Sequence, residues 1–511
     1  MEEKYLLGID IGTGSLKITI IDKNANVIAT KSQEYELSHP YNNYTEIKSN
    51  LLWETFINCL KRAVYDSKVD LSLIKGIGIS CLCPGLTGFD KDNNIILDPI
   101  IYSDRRSTEE AEFIENKVGK ETIFKITGNR TMAGAISSTT MLWIKNNKPN
   151  LYKNIKYFGH INSLFAMKLT GKVAIDYTNA SYTGLFETTK GLKWSETLCD
   201  LVGIDMEKLP PIKKSYEVVG GLIAPEIIEL GIKKDTPVVI GGADTACAAF
   251  TVGIVEQDQV FESVGTTNVL TICSSKPKFS DAFVNRCHVV DDRWLSHGAL
   301  THTGSSLRWF RDNLCNDYKE IESQTGKSAY ELMDEDALKS GAGANGIVFL
   351  PYMLGERSPI WDPYAQGVFF GMSLFNNRGD MIRSILESCG YGLRQLCEIT
   401  QSTTGSNITK FKSVGGGAKS KVWAQIKADI TGKDIDILDC KDAASVGAAL
   451  LAGVGCKVYS SLEQARNTVE KSIYAEIKSN STNDSIYKSK YEIYNDLYPR
   501  IKDLYQKNQT N

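Results

Sequence analysis

The feature that most constrains this chain is a strand–turn–strand unit that occurs twice, once at its start and once past its midpoint. Tyr5 to Asp22 reads as an apolar strand (YLLGID), a turn of small residues (IGTGS) and a second strand (LKITIID). Val260 to Cys273 repeats the pattern as VFES, VGTT and NVLTIC. Both units put Gly-Thr at the turn, as Gly12-Thr13 and Gly265-Thr266. The echo predicts two domains of related design with a boundary near residue 250, here 1–250 and 251–511. A chain of 511 residues suits that division, and with 42% hydrophobic and 23% charged residues each half can bury a core.

Helical and strand patterns mix through the rest of the chain, which predicts the α/β class. Trp53 to Tyr65 reads as a helix with Phe56, Leu60, Ala63 and Val64 on one face. Ile74 to Ser80 is a short buried-type strand that enters the loop CLCPG. Pro237 to Gly253 reads as a buried strand, a Gly-Gly turn and a helix of small residues. The second half adds a helix over Asp380 to Gln401, a strand into three glycines (FKSVGGGAKS) and a small-residue helix (AASVGAALLAG). The polar tail beyond Asn480 is predicted as a terminal helix with frayed ends.

Charge narrows the function classes. Lys plus Arg number 58 and Asp plus Glu 61, a net charge of -3, so there is no basic footprint for nucleic acid or an anionic membrane. The twelve cysteines follow no repeating spacing. Cys81 and Cys83 suit neither a zinc knuckle nor a redox C-x-x-C pair, so the thiols read as small buried hydrophobes of a reducing compartment. The acidic opening runs straight into a strand, and no apolar run approaches the ~20 residues that span a bilayer. The expected location is the cytoplasm.

Two familiar nucleotide motifs fail on inspection. Gly12-Thr13-Gly14 begins like a dinucleotide fingerprint, but Lys17 stands where the third glycine belongs and a strand follows instead of a helix. Gly326-Lys327-Ser328 ends like a P-loop, yet Ile321 occupies the first glycine position. A tight hairpin can still cradle phosphate, because its backbone N–H groups converge, and Thr13 and Thr266 would add hydroxyls. Either turn alone also fits an ordinary β-turn; two of them weaken that reading. Asp10, ending the first strand, is suited to hold Mg²⁺ through water. Asp244 follows Gly241-Gly242-Ala243 and fits either a proton acceptor beside a hydroxyl or a helix N-cap. Gly415-Gly416-Gly417-Ala418 would let an adenine ring lie against bare backbone, or form a plain strand-to-helix turn.

In this order the segments resemble the FGGY family of carbohydrate kinases, of the actin, Hsp70 and hexokinase superfamily, over roughly Tyr5 to Gly453. One family signature fits in full at Gly367 to Glu387, and the other fits at Ser137 to Asn147 except that Thr140 replaces the usual lysine. The resemblance implies two ribonuclease H-like domains closing over a deep cleft, the first binding sugar and phosphate and the second binding nucleotide. It implies ATP and Mg²⁺ as cofactors, Asp244 as the catalytic base and Asp10 near the metal. Gly12, Thr13, Lys17, Gly265, Thr266, Gly304, Gly417, Ala418 and Lys421 fall on its ATP-binding segments. Within the family the chain is most similar to the xylulokinase branch, through GTGSLK, IYSDRR and TGKVAIDYTNASYTGLFE. That branch carries Met-His-Gly where this chain has Cys83-Pro84-Gly85. Cys83, Pro84, Asp104 and Asp244 are the residues expected at the acceptor. The expected reaction is phosphorylation of a small sugar, foremost D-xylulose to D-xylulose 5-phosphate; ribulose, ribitol, erythritol and gluconate are the competing acceptors. An actin- or Hsp70-like ATPase module is the rival of a different class. Sugar and ATP are the expected partners, and a homodimer is the one assembly considered.

Overall fold

Each of the two hairpins seeds a seven-stranded sheet. The structure is a computed structural model that describes residues 4–440, 442–469 and 473–508. In the first sheet, β1 (Tyr5–Ile11) pairs antiparallel with β2 (Ser15–Asp22), and β2 with β3 (Val27–Glu34). On its other side β1 runs parallel to β4 (Ile74–Cys81). Beyond β4 lie β5 (Val218–Gly221), β6 (Pro237–Val239) and the two-residue β7 (Gly242–Ala243), with β6 and β7 both parallel to β4.

The second sheet repeats this scheme. Its hairpin is β8 (Val260–Val264) and β9 (Asn268–Ser274). At one edge stand β10 (Val284–Cys287) and β11 (Trp294–Leu300); β12 (Lys410–Val414), β13 (Asp434–Leu438) and β14 (Ile473–Ile477) complete the sheet. From β11 through β9, β8, β12 and β13 to β14 the strand directions match those from β3 through β2, β1, β4 and β6 to β5. The echo in the sequence is thus a repeat of topology, with β10 as an added edge strand. Lys17 lies inside β2, which confirms that no helix follows the first turn.

Four helices position the site: α1 (Asp244–Thr251), α2 (Thr303–Leu314), α3 (Lys421–Thr431) and α4 (Ala443–Gly455). Although α4 comes late in the chain, it lies across β1 and β4 of the first sheet. A Cβ on Gly78 would stand 1.9 Å from the Ala448 carbonyl oxygen, and one on Gly8 1.8 Å from that of Ser445, so two strand glycines let the helix seat. Between the sheets, Leu6, Ile21 and Val239 from the first share a core with Phe261, Leu295 and Val414 from the second, and α1 and α4 run through it.

The tail is the expected terminal helix, but one face of it is buried. Asp484–Asn508 is a helix whose Tyr487, Tyr491, Tyr494 and Tyr505 are buried in the core of the second half, and Arg383 donates to the Tyr487 phenol at 2.6 Å. Tyrosines recurring every three to four residues gave that stripe an apolar body with polar tips, which reads as polar by composition alone. No helix among the described residues is long and apolar enough to cross a membrane.

Candidate active site

Strand pairing brings two carboxylates to one corner. Asp10 on β1 stands opposite Ser80 on β4, and Gly242 on β7 pairs with Ser80 from the other side. These parallel strands end together, so Asp10 and the first residue of α1, Asp244, emerge at the same edge, the place where open α/β sheets bind ligands. Ser80 Oγ donates to Asp10 Oδ1 at 2.7 Å. Asp244 Oδ1 accepts from the Thr245 backbone N–H at 2.6 Å and from its hydroxyl at 3.0 Å. The N-cap position belongs to Ala243, so Asp244 lies one residue inside the helix and is not its cap. Burial pushes Asp10 up to about 6, and the facing Asp244 adds to the rise, while Ser80 and Lys17 oppose it. Burial also raises Asp244, with Arg286 as the main opposing influence.

Around this corner the first turn is tightly built. Gly12 N–H donates to the Ser15 carbonyl at 2.9 Å, and the Tyr35 phenol donates to the Gly12 carbonyl. Thr13 Oγ1 is 3.0 Å from the Tyr102 hydroxyl. Lys17 reaches back to the start of α4, where its Nζ is 2.6 Å from Asp442 Oδ1.

The second sheet offers the matching corner. Gly265 N–H donates to the Thr267 carbonyl at 2.9 Å, and Ser305 N–H in the first turn of α2 donates to the Thr266 carbonyl at 2.9 Å. A Cβ on Gly304 would stand 1.8 Å from the Gly265 carbonyl oxygen, so glycine alone lets α2 meet the hairpin. One on Gly417 would stand 2.6 Å from Val264 Cγ1, and Ala418 is buried beside it, whereas Gly416 faces open space. Gly265, Thr266, Gly304, Gly417 and Ala418 are therefore neighbours. Lys421 is not with them. It opens α3 with an exposed side chain whose Nζ sits 5.6 Å from the ring of Tyr474 on β14, three strands away from β8.

Asp104 also departs from expectation, since its carboxylate is fully enclosed. Its Oδ1 accepts from the Arg106 backbone N–H and Nε at 2.9 Å each, and its Oδ2 from the Thr45 N–H at 2.6 Å and Arg106 Nη2 at 2.8 Å. Four donors fill a carboxylate, so Asp104 fastens two loops and has no capacity left for a sugar hydroxyl. Cys83 and Pro84 do border the corner. The Cys83 sulfur is 3.9 Å from His160 Nδ1, and the Pro84 carbonyl accepts from Tyr102 N–H at 3.1 Å. Burial pushes the Cys83 thiol up to about 12, which makes it an inert wall. His160 has one nitrogen 2.8 Å from Ser137 Oγ and the other 3.1 Å from Asn179 Oδ1; burial lowers it to about 4, so it is neutral.

The residue that sequence reasoning missed is Arg286 on β10. It comes from the second sheet yet sits among first-half residues, its guanidinium 3.8 Å over the Tyr182 ring and within electrostatic reach of Cys83 and Asp244. An arginine inside an otherwise enclosed strand was the available signal, because arginine is almost never fully buried without a partner.

Comparison with known proteins agrees with this architecture. The FGGY carbohydrate kinase N-terminal domain matches residues 5–251 and the C-terminal domain residues 261–456. Over 505 residues the chain is 29% identical to a xylulose kinase of Bacillus subtilis, covering 98% of each chain. It is 27% identical to a gluconokinase of the same organism over 449 residues, covering 88% of this chain and 86% of that protein. The fold superposes on ligand-bound xylulose kinase from Lactobacillus acidophilus with a TM-score of 0.88, at 22% identity and 99% coverage of both chains. The glycine-walled hairpins, the carboxylate pair at the strand ends and both domain matches agree: this chain belongs to the FGGY family of carbohydrate kinases.

Proposed function

We propose that this kinase transfers the γ-phosphoryl group of ATP to a hydroxyl of a pentulose, D-xylulose being the first candidate, to give D-xylulose 5-phosphate. The observation that carries the reading is Asp244, a desolvated carboxylate that emerges at the same sheet edge as Asp10 and lies within electrostatic reach of Arg286. The relatives named xylulose kinase over the full length support the choice of sugar.

In this reading Asp244 accepts the proton of the acceptor hydroxyl as its oxygen attacks phosphorus, and burial keeps the carboxylate basic enough to do so. The turns Gly12-Thr13 and Gly265-Thr266 hold phosphate oxygens through backbone N–H groups and hydroxyls. Lys17 is drawn toward the same oxygens when nucleotide competes with Asp442. Gly416 and Gly417 leave room for the adenine. Asp10 suits Mg²⁺: its pairing with Ser80 fixes the carboxylate, and a divalent ion would relieve its repulsion from Asp244. When bound, Mg²⁺ neutralises charge on the transferring phosphoryl group. Residues 1–250 would thus carry the sugar and 251–511 the nucleotide, with Arg286 as an exception from the second half.

The test is ATP turnover by wild type and Asp244→Asn with D-xylulose and without sugar. Stimulation by D-xylulose is expected, with kcat lowered on the order of 10²–10⁴-fold in the variant and ATP binding retained. Turnover indifferent to every sugar would identify an ATPase module instead, and a variant with more than about a tenth of wild-type kcat would remove Asp244 as the base.

A further inference from the structure

Arg286 is a buried cation with unpaired donors, within electrostatic reach of the Asp244 carboxylate but not ion-paired with it. Only 4% of the residue is exposed, and its Nε and Nη1 have no hydrogen-bond partner. Among the described residues it forms no ion pair. The nearby carboxylates are engaged elsewhere. Asp176 accepts from Asn162, Thr178, Asn179 and Ser215, and Asp244 accepts from Thr245 and is needed for proton transfer. A guanidinium held out of water with unused donors is costly until an anion meets it. Its position indicates which one. The guanidinium lies 3.8 Å over the Tyr182 ring and within electrostatic reach of Cys83 in the loop expected at the acceptor, whereas Asp10 and Lys17 face each other across the first hairpin.

We propose that Arg286 anchors a carboxylate at the end of the acceptor remote from its reacting hydroxyl, so that the site takes open-chain sugar acids as a second acceptor class beside the neutral pentulose. This rests on Asp244 being the base of the same pocket. The chemistry is unchanged: the acceptor hydroxyl gives its proton to Asp244, its oxygen forms the new P–O bond, and ADP leaves with the electrons of the old one. Only the group at the far end of the acceptor differs, an anion meeting the guanidinium in place of a neutral hydroxyl.

D-xylonate and xylitol differ only in that terminal group, carboxylate against hydroxymethyl, and so isolate the contribution of Arg286. Steady-state rates with D-xylonate, D-gluconate, xylitol and D-xylulose, for wild type, Arg286→Gln and Arg286→Lys, provide the test. Wild type is expected to phosphorylate D-xylonate or D-gluconate with kcat/KM well above xylitol. Arg286→Gln should lower the sugar-acid value on the order of 10²–10³-fold, the scale for losing one partner of a buried charge pair. D-xylulose should fall by a smaller factor, so that the acid-to-neutral ratio of kcat/KM drops, and Arg286→Lys should recover part of the sugar-acid rate. D-xylulose turnover without sugar-acid turnover overturns this inference and leaves the proposed function standing. Sugar-acid turnover that needs Arg286, without D-xylulose turnover, upholds it and overturns the pentulose. An unchanged acid-to-neutral ratio with a raised KM for ATP assigns the guanidinium to phosphate and overturns it. No turnover of any acceptor overturns both readings.

Discussion

Asp10 and Asp244 carry opposite demands on one site: the proposed chemistry needs them charged, and the surrounding fold favours their protons. Asp10 rises from an ordinary 3.8 to about 6 through burial and its neighbour. A folded-state pKa above the unfolded one means that the folded protein holds the proton more tightly. Asp10 therefore imposes no penalty below about pH 4, and its penalty grows as pH rises through 6. Asp10→Asn should raise Tm by a few degrees at pH 7.5, at roughly 2–4 °C per kcal/mol, and leave it nearly unchanged at pH 4, in protein free of Mg²⁺ and nucleotide. The same variant should lose most of its kinase rate. Equal Tm gains at both pH values would show that the carboxylate is not strained by its charge. Asp10, Asp244 and the two Gly-Thr turns were legible in the sequence because strand ends and glycines announce where backbone is laid bare. The roles of Asp104 and Lys421 were not, since a motif fixes a residue type and says nothing about which neighbours have already saturated it. Arg286 was missed for a related reason: its burial was signalled by the enclosed strand around it, but the Tyr182 ring it packs on lies about a hundred positions earlier.

At the scale of elements, close approach does the positioning. Gly78→Ala sets a methyl 1.9 Å from the Ala448 carbonyl and should displace α4, costing about 1–3 kcal/mol or more, whereas Gly416→Ala meets nothing within 4 Å and should leave Tm in place. Urea unfolding of both variants checks the contrast. The second hairpin is braced differently. Glu262 on β8 and Lys427 on α3 form an ion pair with both side chains fully buried, and Ser413 and Asn268 donate to the same carboxylate. Lys427→Met strands that carboxylate and should cost about 3–5 kcal/mol, and adding Glu262→Gln should return part of the loss. A double variant as weak as the single would refute the coupling. Hairpins, the Gly-Gly turn and the small-residue helix were readable as elements, because periodicity and turn residues are local. The partner of α4 was not readable: small residues announce a close approach without naming what approaches.

Across the whole molecule, the halves meet through Asn129 and Asn285, which exchange two hydrogen bonds of 2.7 and 2.8 Å, and through Arg286 reaching from one to the other. With the Gly-Thr turns of both halves holding phosphate as proposed, the halves are expected to draw together only when sugar and nucleotide are both present. Small-angle scattering should give a smaller radius of gyration with D-xylulose plus a non-hydrolysable ATP analogue than with either alone; superimposable curves would count against closure. The crossing of α4 bears on a different matter, the order in which the chain is made. The strands of the first sheet are complete by Ala243, but the helix that covers Gly8 and Gly78 ends at Gly455. At the usual ribosomal pace of ~5–20 residues per second, an apolar sheet face waits uncovered for on the order of 10–40 s. Nascent chains stalled before residue 443 should be cut by protease within the first sheet, and chains stalled well beyond 455 should resist. The first half is thus finished by the second, and its birth on the ribosome is the period in which a chaperone has most to protect.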